Sequence, residues 1–293
     1  MIINEPKQEW GGHWTEKKLN AFSKYVWSYL IIMKKFPYWK TIYFDGFAGS
    51  GRRTSVKSDL VEQLAILPEE ERVYKCAAER VINIEGLSFD FYYFIDRKST
   101  SLEKLEQHLK THKASEGKNL IFKNGDCNIY LNELANALQK INPSYSALIF
   151  LDPFGMQINW ESIEALRGTR SDVWIFIPTG VIVNRLLDRK GELKSLKKLE
   201  SFFGLGEQEI RDYFYKVESV PTLFGDTEIV SKVLNPIEKI SSLYIERLKT
   251  VFEYVTPKPL RLDNSKGVPI FHFVFAANNA NAVKIASQII DKG

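Results

Sequence analysis

The stretch Tyr43-Phe44-Asp45-Gly46-Phe47-Ala48-Gly49-Ser50-Gly51 decides the reading of the fold. A short β-type run, Thr41–Phe44, ends at the carboxylate of Asp45, and Gly46, Gly49 and Gly51 follow at once. Glycine lets the backbone turn tightly and lets a ligand approach with no Cβ in the way. The exposed N–H groups of such a turn can bind an anion. No Lys-Ser/Thr pair follows the last glycine, which argues against a P-loop, and the spacing is not G-x-G-x-x-G. The alternative is a strand-to-helix turn that holds no ligand.

Outward from this turn the chain alternates strands and helices. An apolar stripe of Leu19, Phe22, Val26, Tyr29, Leu30 and Met33 predicts an amphipathic helix over 15–35, with Thr15 as N-cap and Pro37 as stop. Strands are expected at 89–95, 120–123, 146–151 and 172–177, closing near Asp96, Asp126, Asp152 and Pro178. Helices are expected at 60–67, 72–84, 101–111, 129–141 and 160–167. Continuous apolar strands alternating with helices belong to a parallel sheet covered on both faces. Ligands of such sheets bind at the C-terminal strand ends, where Asp45, Asp96, Asp126 and Asp152 lie.

The domain reading is an N-terminal helical segment, 1–40, a Rossmann-like core, 41–180, a helical insertion, 181–250, and closing strands with a C-terminal helix, 251–293. The last part reads as strands 252–262 and 269–276, joined by Asp263-Asn264-Ser265-Lys266-Gly267, and a helix over 280–290. The composition fits: 293 residues, 44% of them hydrophobic, supply an ample core. No apolar run reaches the ~18–20 residues of a membrane-spanning helix. The N-terminus has no secretory h-region, and Cys76 and Cys127 make no disulfide framework, so the expected setting is cytoplasmic. The net charge of +4 permits a nucleic-acid partner without requiring one.

A second signal is Leu151-Asp152-Pro153-Phe154-Gly155. Proline fixes the backbone beside Asp152, whose carboxylate, or the adjoining carbonyl, can accept hydrogen bonds from an exocyclic amine. The ring of Phe154 offers a stacking face for a base; the alternative packs it in the core. Asp96 reads as an acceptor for ribose hydroxyls, or as a helix cap. It lies 47 residues beyond Gly49 instead of about 20, which implies an insertion over 52–88. Asp126 can receive an adenine amino group, or act as a turn or cap residue.

Together these blocks resemble the class I S-adenosylmethionine-dependent methyltransferases. More narrowly, the chain resembles the three-Cys-motif partner family, through His13-Trp14-Thr15, Lys18-Leu19, Asp45-Gly46-Phe47-Ala48-Gly49, Phe94-Ile95-Asp96, Leu151-Asp152-Pro153-Phe154-Gly155 and Phe271-His272-Phe273-Val274-Phe275-Ala276. The resemblance implies a seven-stranded, mostly parallel sheet whose last strand is antiparallel, and an S-adenosylmethionine site. The cofactor would meet Asp45, Gly46, Phe47, Ala48, Gly49 and Gly51 at the methionine end, Asp96 and Arg97 at the ribose, and Asp126 and Cys127 at the adenine. Asp152, Pro153, Phe154 and Gly155 would form the catalytic block. That block resembles the tRNA guanine-N2 methyltransferase motif and is related to the D/N-P-P-Y/F motif of amino-methyltransferases, from which Phe154 departs.

The expected reaction is therefore methyl transfer to an exocyclic amine of a nucleobase in RNA or DNA. Arg52 and Arg53 beside the glycine turn, and Arg185, Arg189 and Lys190 in the insertion, are candidate substrate contacts; a solvated helix face is the alternative for the last three. His13, His108, His112 and His272 form no metal-ligand constellation, so no metal is expected. The rival readings are a non-catalytic cofactor-binding or scaffold protein, itself a partner in a bacterial multi-protein system, and a methyltransferase for a protein or small molecule. Nucleotide hydrolysis is a weaker rival, because the glycine turn lacks the P-loop lysine.

Overall fold

The computed structural model describes residues 13–49, 76–140, 144–153, 155–223, 225–264 and 267–292. The expected helix at 60–67, the start of the one at 72–84, and Ser50, Gly51, Arg52, Arg53 and Phe154 lie outside them.

One sheet carries the molecule. Its parallel strands are β1 (Lys40–Asp45), β2 (Phe91–Asp96), β3 (Leu120–Asn124), β4 (Tyr145–Leu151) and β5 (Ser171–Ile177), in the order β3-β2-β1-β4-β5. The strand Pro269–Ala277 pairs antiparallel with β5 and with two short segments, Tyr254–Val255 and Leu260–Asp263. The sequence reads these two segments as one strand over 252–262. Pro257 and Pro259 interrupt it, since proline offers no N–H to a ladder. The strand count thus becomes eight. The strands on either side of 263–267 do pair antiparallel, with Asn264 N–H donating to the Val268 carbonyl at 2.9 Å; Ser265 and Lys266 lie outside the described residues.

The two faces of the sheet differ in chemistry because successive side chains point to opposite sides. Tyr43, Phe94, Leu148, Phe150, Trp174, Phe176, Phe271, Phe273 and Phe275 share one face with helix α1 (His13–Met33). Ile42, Phe44, Ile149, Leu151, Ile175, Ile177 and Val274 share the other with α4 (Cys127–Lys140). The first face is a ring-packed layer: Phe22 of α1 stacks on Phe150 at 4.2 Å between centroids, and Trp174 on Phe273 at 4.5 Å. It also receives α2 (Cys76–Ile82), α3 (Ser99–Lys110) and the C-terminal helix Ala280–Asp291. Helix α1 begins at His13, two residues before the expected cap, so Thr15 lies within it.

The insertion leaves the sheet at the C-terminal end of β5, through a turn over Thr179–Val183. It carries helices Leu196–Phe203, Glu207–Phe214 and Pro236–Leu248, and also a hairpin, Tyr215–Thr222 with Gly225–Lys232. The helical expectation for 181–250 is corrected there. Apart from Tyr215 and the half-buried Lys232 the hairpin is exposed on both faces, so burial does not impose on it the alternation that marks a half-buried strand. No helix among the described residues is long and apolar enough to cross a membrane.

Gly180 holds this exit against the antiparallel strand. A Cβ there would sit 2.2 Å from the Pro269 carbonyl oxygen and 2.7 Å from Ile270 Cα, both backbone atoms that cannot swing away. Gly180→Ala is expected to cost about 2–3 kcal/mol of stability, read as a lower urea midpoint at unchanged slope. An unaltered midpoint would refute the close approach.

Candidate active site

The strand order makes a crevice where β2 and β4 flank β1 and the connections diverge to opposite sides, the usual ligand position in such sheets. Asp45 ends β1 level with Phe94 of β2 and Phe150 of β4. Asp96 and Asp152 each stand two residues farther along their chains. By strand alternation all three carboxylates fall on the ring-packed side of the sheet, and Asp152 meets Lys18 of α1 there.

The glycine turn crosses the top of β1. Gly46 N–H donates to the Phe150 carbonyl at 3.0 Å, and Ala48 N–H to the Ile95 carbonyl at 2.9 Å. Gly46 is there for space: a Cβ would lie 2.5 Å from Cys127 Sγ and 2.9 Å from Leu151 Cδ2. Gly49 is there for conformation, with φ of +63° and no described atom within 4 Å of where a side chain would begin. Asp96 binds the turn directly: its Oδ2 accepts from Gly49 N–H at 2.8 Å, and its Oδ1 from Lys98 N–H at 2.7 Å. It does not cap α3, whose N-cap residue is Lys98. Arg97 is exposed beside it.

Asp126 Oδ1 accepts from both the backbone N–H and the side-chain amide of Asn128, at 2.8 Å each, so it does act as a cap for α4. Asn128 reaches onward to the loop after β4, donating to the Gln157 carbonyl and accepting from Asn159 N–H, each at 2.8 Å. Gln157 in turn accepts from Gly155 N–H at 2.6 Å. One side chain, which pattern reading missed, thereby ties the turn after β3 to the Asp152 loop. The thiol of Cys127 is buried under Gly46, and burial raises its pKa. Its side chain is core, which leaves only its backbone to face a ligand.

Asp45 is 2% exposed. Its Oδ1 accepts from Phe47 N–H and its Oδ2 from the Tyr43 hydroxyl, both at 3.2 Å. Burial, opposed by the Phe47 hydrogen bond and reinforced by the charge of Asp152, pushes its carboxyl up to about 7. Asp152 is buried beside Pro153 at the end of β4. Its Oδ2 accepts from Lys18 Nζ at 2.7 Å, and its Oδ1 has no partner among the described residues. Lys18 itself is fully buried on α1, 4.2 Å above the ring of Phe176. Desolvation lowers the Lys18 pKa against the pull of Asp152 and Asp45. The signal for Lys18 was in the sequence: it stands four, seven and eleven residues before Phe22, Tyr25 and Tyr29, on the buried stripe.

The insertion residues are less gathered. Arg185, Arg189 and Lys190 are exposed. They lie on no common helix, because Asp188 collects the N–H groups of Lys190, Glu192 and Leu193 into a compact turn. Their place is on the C-terminal side of β5, the side of the sheet where the carboxylates stand. His272 is buried and hydrogen-bonded to the Thr179 hydroxyl at 2.7 Å; burial lowers its pKa to about 4. His108 pairs with Glu79, and no cluster among the described residues could hold a metal ion.

The sheet is Rossmann-like, mostly parallel and closed by antiparallel strands. No family model matches the sequence, and no curated protein matches it. Solved structures similar to it include a Legionella pneumophila protein of family DUF519, 16% identical over 80% of this chain and 92% of that one, with a TM-score of 0.37. A Thermotoga maritima spermidine synthase is 11% identical over 93% of this chain and 62% of the other, with a TM-score of 0.41. A Methanosarcina mazei S-adenosylmethionine-dependent methyltransferase is 13% identical over 84% and 95%, with a TM-score of 0.32.

The raised carboxyl of Asp45 has a measurable consequence. It binds its proton more tightly in the folded chain than in the unfolded one, whose ordinary value is 3.8. Its contribution to stability is therefore full below about pH 4 and is lost as the pH rises to about 7. Asp45→Asn, which keeps an acceptor for Phe47 N–H, should gain stability relative to the native chain between about pH 5 and 8 in urea melts. A difference independent of pH would show that Asp45 is not so raised.

Proposed function

We propose that the chain is an S-adenosylmethionine-dependent methyltransferase whose acceptor is an exocyclic amine of a nucleobase in nucleic acid. The observation that carries this reading is the buried carboxylate of Asp152, with one oxygen committed to Lys18 and the other without a partner among the described residues, beside the glycine turn. A buried acceptor without a donor is costly, and a ligand N–H would satisfy it.

The residues present fit the cofactor. Among the described residues nothing lies within 4 Å of where a Gly49 side chain would begin. Both oxygens of Asp96 accept a backbone N–H, and each keeps acceptor capacity for a ribose hydroxyl. Asp45, Gly46, Phe47, Ala48 and Gly49 would hold the methionine end, Asp126 and the backbone of Cys127 the adenine. When bound, the cofactor supplies an electrophilic methyl group. The chain supplies position: Asp152 Oδ1 and the Pro153 carbonyl accept the N–H bonds of the acceptor amine and so turn its lone pair toward the methyl. Holding reactants in line can supply roughly 7–11 kcal/mol at best.

The nucleobase class rests on the Asp152-Pro153-Phe154-Gly155 block, and the polymer on the exposed Arg185, Arg189 and Lys190. The narrower placement in the three-Cys-motif partner family rests on the sequence blocks alone.

Calorimetric titration with S-adenosylmethionine and S-adenosylhomocysteine should give micromolar binding to the native chain. Gly49→Arg, which forces a side chain into a left-handed backbone position, should abolish it. Asp152→Ala, confirmed as folded by near-ultraviolet circular dichroism, should keep cofactor affinity within several-fold. It should lose transfer of a tritiated methyl group to RNA or DNA, which the native chain performs. Full transfer by that variant would sink the assignment. Absence of cofactor binding by the native chain would favour a scaffold.

A further inference from the structure

At the N-terminal ends of β4 and β5, opposite the candidate active site, Phe36-Pro37-Tyr38-Trp39 forms a tight turn after α1, closed by Trp39 N–H donating to the Phe36 carbonyl at 3.0 Å. The turn gathers three rings. Trp39 lies 5.3 Å, between centroids, from both Phe36 and Tyr38, and Tyr38 is 65% exposed. The guanidinium of Arg170 lies 3.7 Å above the ring of Trp39, and it makes no ion pair or hydrogen bond among the described residues.

This turn borders a groove of about 1160 Å³ lined by residues of α1 and of the C-terminal helix. The groove stands about 20 Å from the crevice, the length of β4 at about 3.3 Å per residue. Lys35, Arg170 and Lys284 line it as exposed cations with no ion pair among the described residues, and the exposed Glu253 is set against them. Asp172 of β5 is half-buried in it. Its Oδ2 accepts from the Tyr25 hydroxyl at 2.7 Å, whereas its Oδ1 takes no hydrogen bond from a described residue and is open to solvent. Burial raises the Asp172 carboxyl to about 6, against the Tyr25 hydrogen bond and the Arg170 charge, so it is mostly ionised at neutral pH.

A ligand that fits brings negative charge for the cations, N–H donors for the Asp172 carboxylate and flat faces for the rings. Nucleotides bring all three. An acidic peptide lacks the flat faces, and a bilayer surface cannot enter a groove to reach Asp172. The volume exceeds the roughly 300–1,000 Å³ of small-ligand pockets, which favours a run of nucleotides over a single one.

We propose that this groove binds single-stranded nucleic acid: bases stack on Arg170 and Tyr38, Lys35 and Lys284 meet phosphates, and a base edge donates to Asp172. The site is separate from the crevice, and the inference stands without the cofactor reading.

Fluorescence anisotropy on the full chain, with no cofactor added, tests it with a labelled single-stranded oligonucleotide of mixed sequence. Micromolar binding that weakens with salt is expected. Tyr38→Ala and Arg170→Ala, both at exposed side chains, should each weaken it about fivefold or more. Lys35→Ala and Lys284→Ala should each lower the log–log salt slope by roughly 0.7. An abasic strand of equal length keeps the phosphates but cannot stack, and it should bind about tenfold more weakly. Ultraviolet crosslinks from a 4-thiouridine-bearing RNA should map to peptides carrying Tyr38 or Tyr254, which also lines the groove.

The inference is overturned if the native chain does not bind the strand, or if the abasic strand or polyglutamate binds as tightly. Crosslinks found only in the insertion, or only at the strand ends that carry Asp45 and Asp152, overturn it as well. The two readings fail separately: a chain that binds the strand here but not S-adenosylmethionine keeps this inference and loses the cofactor reading.

Discussion

Strand alternation is the constraint on which the site depends. Side chains two apart on a strand share a face, so the residues that end β1 and β2, and the one just past β4, inherit the face of those before them. Tyr43, Phe94 and Phe150 all lie on the ring-packed face, and Asp45, Asp96 and Asp152 follow them at two-residue steps. Three carboxylates are thereby brought to one side of the sheet, where α1 meets Asp152 through Lys18. Slipping any of these strands by one residue would turn its acid to the aliphatic face, into α4.

The helix on that side answers chemically. An apolar α1 would bury Asp152 with no compensating charge, at a cost of several kcal/mol. Lys18 supplies the charge from the same stripe that supplies Phe22 and Tyr25 to the core. Tyr25 does a related thing at the other end of the sheet, donating to Asp172 at 2.7 Å. Helix α1 is thus an apolar cover with polar groups placed over the acids beneath it. Asp45 receives only a hydroxyl and an N–H, and its affinity for a proton rises accordingly.

Hydrogen bonds between loops complete the arrangement. Asp96 holds the glycine turn through Gly49, and Asn124 donates to the Asp96 and Arg97 carbonyls at 3.0 and 3.1 Å. Asn128 joins the turn after β3 to the loop after β4. The crevice walls are therefore positioned by backbone partners on neighbouring strands, and this gives a ligand a preformed frame.

Much of this was legible in the residues alone. Apolar runs ending in Asp45, Asp96 and Asp152 identified the parallel strands and where they end, because a strand buried on both faces tolerates a polar residue only where it leaves the sheet. The glycine turn was legible because few residues other than glycine meet its demands for conformation and space. The hairpin over 215–232 was not, since strands exposed on both faces carry little periodic signal. The break at Pro257 and Pro259 could have been read from proline chemistry, yet the apolar residues around it masked it. What only the tertiary structure decided is which distant residues meet. The stripe on α1 specifies that Lys18 faces inward, but no local pattern reveals that Asp152 is the group it meets. Cys127, Asn128 and the partners of Asp96 were likewise assigned by the crossing of loops over the sheet, because such contacts depend on how elements far apart in the chain pack together.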